Sequence, residues 1–226
     1  MPQDELDCTQ GVNMDRRATD QAALLAALLA FACTLLMGFV LRSPDPNVSL
    51  QPSYPVTTPG DVVRTVNTYP EAMLRLFAAD SLFIVSYVTV FAGLYATAAD
   101  RSRVLAAIGL GAGVLTALFD AIENAYFITY AQAALNGVPL VQPDLPAIYV
   151  AANLKWMSAF VTLFAFGLAW PRATRLGWVL AGLMLLFVLV GVLGIAWPGL
   201  FWLRGVLFLV GMPLFAWHFW RESRRA

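Results

Sequence analysis

Six stretches of this chain stay apolar for about twenty residues or more, the length a helix needs to cross ~30 Å of hydrocarbon. They fall at about 21–41, 71–97, 103–131, 147–170, 176–196 and 199–220. Nothing else in the sequence limits the fold as strongly. A chain with 60% hydrophobic and 12% charged residues could not cover that much apolar surface with polar groups in water, where a soluble domain carries roughly 25% charged residues. The expected class is an all-α integral membrane protein with six transmembrane helices in one domain, 21–220. A tail, 1–20, precedes it and a short tail, 221–226, follows.

The first span follows Arg16 and Arg17 and is longer than the ~7–15-residue apolar core of a cleaved signal peptide. It therefore reads as an uncleaved helix, and Met14 is an alternative start. Between the first two spans, 42–70 holds six of the thirteen prolines and reads as a loop, because proline removes a backbone donor and breaks helices. "NVS" at 47–49 fits a glycosylation acceptor but has no meaning in a bacterial host, which the arginine-rich, GC-type composition suggests. A second connection, 132–146, contains "NG" and three prolines.

Arginine placement orients the spans. Arg16, Arg17, Arg101, Arg103, Arg172, Arg175, Arg221, Arg224 and Arg225 all fall on one side of a six-span chain. The other side carries Arg42 and Arg64 in its first loop and no basic residue in the other two. The positive-inside rule then puts both termini in the cytoplasm and the Pro-rich loop outside, in a cell inner (plasma) membrane. Trp170, Trp178, Trp217 and Trp220 near the inner boundary, with Trp197 and Trp202 near the outer one, read as an aromatic belt.

Within these spans lies a layer of groups that hydrocarbon does not favour. Asp80 is about eight residues from the outer end of the second span, roughly 12 Å at 1.5 Å per residue. Glu123 and Asn124 lie at a similar depth in the third span, Asp120 one turn deeper, and Lys155 about eight residues into the fourth. Arg204 begins higher in the sixth span but can reach down. On the third span Thr116, Asp120, Glu123, Asn124 and Phe127 share one face. Lys155, Ser158 and Thr162 form a stripe on the fourth, and Asp80 aligns with Phe83 and Tyr87 on the second. The expectation is that Lys155 and Arg204 face Asp120 and Glu123. Three acids against two bases would leave one carboxyl to hold a proton.

Intramembrane ionisable groups are rare and often mark ion, proton or substrate sites. The expected binding residues are Asp80, Tyr87, Thr116, Asp120, Glu123, Asn124, Lys155, Ser158 and Arg204. The leading function is a polar pocket in the outer-leaflet half that binds or transports a small polar solute, an ion or proton, or a lipid headgroup. One alternative is an intramembrane enzyme acting on a lipid or isoprenoid, with Asp120 or Glu123 as acid/base and Lys155 as electrostatic partner. Another is a structural or accessory subunit whose polar layer only fixes helix packing. No cofactor or metal is expected. The single histidine, His218, lies far along the chain from the acids and reads as interfacial, and the layer's two cations oppose a hard metal ion.

Expected partners are membrane lipids and a small polar ligand; a net charge of zero gives no argument for nucleic acid. Alternating-access transporters commonly use two related halves, and no internal repeat is visible here, so a homo-oligomer would supply the second half. "GLGAG" at 109–113 has no strand before it, and small residues for close helix approach are its better reading.

Overall fold

The computed structural model describes the backbone of residues 3–40 and 58–225, and the side chains of residues 16–39, 58–200 and 202–225. Residues 42–57, most of the proline-rich connection, lie outside the described residues, as does the Cys8 side chain. Among the described residues the chain is all-helical. Its elements are α1 (Gln3–Val40), α2 (Pro59–Thr68), α3 (Pro70–Ala98), α4 (Arg103–Leu135), α5 (Leu145–Ala169), α6 (Arg175–Ala196), a 3-10 turn (Pro198–Leu200) and α7 (Phe201–Ser223). Six of these helices are long and apolar enough to cross a membrane, and they match the six predicted spans. Large apolar side chains such as Leu25, Val85, Ile108 and Leu189 are exposed along them, as a hydrocarbon surround requires.

Two elements go beyond the sequence reading. α1 begins well before the predicted first span, at Gln3, and no proline lies between Pro2 and Pro44 to break it. Asp20, placed in the tail, is in fact buried in this helix. The second addition is α2, inside the stretch read as a loop. Thr58 caps it: its hydroxyl accepts from the Asp61 amide at 3.2 Å while its own amide donates to the Asp61 carboxylate at 3.1 Å. Pro59 occupies the first turn, where its missing N–H costs nothing. Val62 and Val66, four residues apart, bury the apolar face.

The helices distribute over two compact units. The first holds the described parts of Met1–Phe31, Ser86–Val114 and Ser158–Ala226; the second holds those of Ala32–Val85 and Leu115–Met157. In the first, packing depends on backbone approach to aromatic rings, since lipid tails are as apolar as leucine and only close contact favours association. A Cβ at Gly191 would run into the Phe160 ring, and one at Gly113 would lie 2.5 Å from the Phe91 ring. Gly109 meets Phe166 in the same way, so Gly109 and Gly113 of "GLGAG" are packing residues.

Trp170 corrects the aromatic-belt reading. It is fully buried, its ring against Phe215 and His218, and its carbonyl accepts from Arg101 at 2.8 Å. It follows the end of α5, where the chain turns, so the ring folds inward. Trp178, Trp197, Trp202, Trp217 and Trp220 are exposed.

In the second unit Val62, Val66, Met73, Leu76, Phe77, Phe127 and Ile148 form a buried cluster. Phe77 and Phe127 stack with centroids 4.9 Å apart and planes 6° from parallel. Asn67, near the end of α2, donates to the Leu140 carbonyl at 2.9 Å and accepts from the Leu140 amide at 2.8 Å. One side chain thereby satisfies both backbone groups of a residue in the Asn-Gly connection.

Candidate functional site

The polar layer of the second unit is built from α3, α4 and α5. Asp120 and Glu123 are three residues apart on α4 and so project from one face. Lys155 of α5 bridges them: its Nζ donates to Asp120 Oδ1 at 2.9 Å and also to Glu123 Oε2. All three side chains are largely buried, at 8–16% exposure. Two carboxylates this close would repel each other, and the shared ammonium offsets that repulsion.

Asp80 enters from α3. It is partly buried and lies within electrostatic reach of Asp120, Lys155 and Glu123, with the Asn124 amide in hydrogen-bonding range. It makes no ion pair among the described residues. The Asn124 amide also donates to the Ser81 hydroxyl at 3.4 Å, and that hydroxyl donates to the Phe77 carbonyl at 2.7 Å. Asn124 is therefore held between two helices by groups on α3. Thr116, one turn before Asp120 on α4, is buried as well.

The structure thus brings together Asp80, Asp120, Glu123, Asn124 and Lys155 of the sequence-derived set. Arg204, Tyr87 and Ser158 belong to the first unit. There Tyr87 packs its ring on Phe91 at 5.3 Å, the Ser158 carbonyl accepts from Thr162, and Arg204 is partly buried on α7. Two residues of the layer were missed in the sequence. Ser81 follows Asp80 directly, and the Asp-Ser pair in an apolar run was the available signal. Cys33 of α1 is buried and within reach of the Asp80 charge; nothing in the flanking "FACTLL" marks it.

The pairing in the layer has a chemical consequence. Lys155 is bonded to Asp120 and Glu123, and Asp80 beside them makes no ion pair among the described residues. An unpaired carboxylate at a helix centre costs on the order of 2.5–3.5 kcal/mol on insertion scales, so Asp80 is the group with the most to gain from a proton or a cation.

Models of known protein families, curated protein sequences and solved structures were each compared with the chain, and none matches.

Proposed function

We propose that this is a multi-pass inner-membrane protein of a bacterial cell, with both termini cytoplasmic and the 42–70 connection outside, that binds and passes a proton or a small cation-bearing solute at the Lys155 layer. Arginine distribution supports the orientation. The observation that carries the function is Asp80, a carboxylate without an ion-pair partner among the described residues, set beside a carboxylate pair already clamped by Lys155. In this reading a proton or a ligand ammonium pairs with Asp80.

The clamp also weighs against covalent chemistry at Lys155, because an ammonium held by two carboxylates is a poor nucleophile. A purely structural layer would have no use for the third acid.

The test is ion movement in liposomes of purified protein with an internal pH-sensitive dye and an imposed membrane potential. Wild type should acidify the lumen several-fold faster than empty liposomes, and Asp80→Asn should return the rate to that of empty liposomes. Equal rates for wild type and empty liposomes, with or without added alkylammonium solutes, would sink the proposal.

A further inference from the structure

The first unit contains a second polar concavity that the function above does not use. It has a volume of about 240 Å³ and is walled by α1, Thr97 of α3 and Asp100 after it, the residues that precede α6, the start of α6, and α7. Its cationic lining is Arg16 of α1 with Arg221 and Arg225 of α7. Arg16 pairs with Asp100 at 3.0 Å and Arg225 with Glu222 at 3.0 Å. Arg221 has no ion-pair partner among the described residues. His218 also lines the space, and its Nε2 is buried without a hydrogen-bond partner. Asp20, buried and unpartnered at Oδ2, lies within electrostatic reach of Arg16 and Glu222. Asp100 and Glu222, which also line the space, pair with Arg16 and Arg225, and Arg221 is the lining cation with no ion pair among the described residues.

The remaining donors converge on the same space. α6 is 22 residues long, and its cap Thr174 and first-turn residues Leu176 and Gly177 line this cavity, so the positive end of its dipole lies beside it. Thr174 accepts from the Gly177 amide at 3.0 Å, which leaves its hydroxyl hydrogen to donate outward. A guanidinium, a hydroxyl and helix-start amides together suit a tetrahedral oxyanion. Exposed Trp178, Trp217 and Trp220 belong to the same unit, with Arg172 5.3 Å from the Trp178 ring and Arg224 4.2 Å from the Trp220 ring. Aromatic rings and arginines so arranged mark a headgroup-level interface.

We propose that this cavity binds a phosphate group, with Arg221 as its principal ligand and the Thr174 hydroxyl and first amides of α6 completing the site. The group comes either from an anionic phospholipid headgroup or from free phosphate. The experiment titrates the full detergent-solubilised chain with short-chain phosphatidylglycerol, with inorganic phosphate, and with a short-chain diacylglycerol as the phosphate-free control, reading apparent affinity from the thermal shift. Arg221→Gln should weaken binding at least tenfold, Arg221→Lys should weaken it less, and the exposed Arg17→Gln should leave it unchanged. Binding of phosphatidylglycerol alone assigns the lipid source, and binding of inorganic phosphate as well assigns the free anion. No phosphate-dependent shift, an Arg221→Gln protein that binds like wild type, or an equal loss in Arg17→Gln overturns the proposal. Failure here would leave the liposome test of Asp80 untouched.

Discussion

Lys155 stands 2.9 Å from Asp120 on a neighbouring helix and gives the same ammonium to Glu123, so one cation is shared by two acids of a single helical face. The partners are unequal in what their loss exposes. Removing either acid leaves Lys155 paired to the other, whereas removing Lys155 takes the shared ammonium from both carboxylates at once.

Lys155→Met should therefore be the most damaging single change in the layer, with a loss of about 3–5 kcal/mol typical of breaking a buried pair. Asp120→Asn or Glu123→Gln should cost less, about 1–3 kcal/mol, because one charge-assisted bond survives. The triple change should recover most of the loss. Thermal unfolding in one detergent would compare all four proteins. A Lys155→Met protein no less stable than Glu123→Gln would show that the clamp does not balance the layer.

The glycine–aromatic contacts of the first unit give an independent prediction. Gly191→Ala drives a methyl into the Phe160 ring, and Gly113→Ala does the same to Phe91. Each should destabilise by about 1–3 kcal/mol through overpacking. Gly111→Ala, where a Cβ meets nothing, should be neutral or stabilising because alanine favours a helix. Midpoints of thermal unfolding for the three variants would decide; equal shifts at Gly111 and Gly113 would refute close approach as the role of "GLGAG".

α2 should weaken in acid. Hydrogen bonds from Thr58, aided by Arg64, hold the Asp61 carboxyl below the usual carboxylate range. A carboxyl lowered on folding contributes stability that is complete above its unfolded value and lost as pH falls through its folded value. Amide exchange protection across 60–68, corrected for intrinsic rate, should therefore drop at acid pH. Thr58→Ala should lower protection at neutral pH, by about 1 kcal/mol for a lost N-cap, and flatten the acid dependence. An unchanged pH profile in Thr58→Ala would remove the capping box from the explanation.

Hydropathy and helical period alone determined the six spans, the shared face of Asp120 and Glu123, and the matching depth of Asp80, Asn124 and Lys155. Those properties are local: a span needs a run of apolar residues, a face needs i, i+3 spacing, and depth needs only a count of residues at 1.5 Å each. The capping box of α2 was equally local, in "TPGD" at 58–61, yet six prolines in 42–70 outweighed it.

What each face looks toward was decided by tertiary structure. A one-dimensional pattern does not record the rotation of one helix about its axis relative to another, so the sequence could list two cations for three acids without assigning them. Only packing gave Lys155 to both Asp120 and Glu123 and set the Asn124 amide beside Asp80. The same limit applies to Trp170: its position in the chain is that of a belt residue, but the turn after α5 folds the ring against Phe215 and His218. Depth follows from counting along one helix, whereas a partner depends on the azimuth of two.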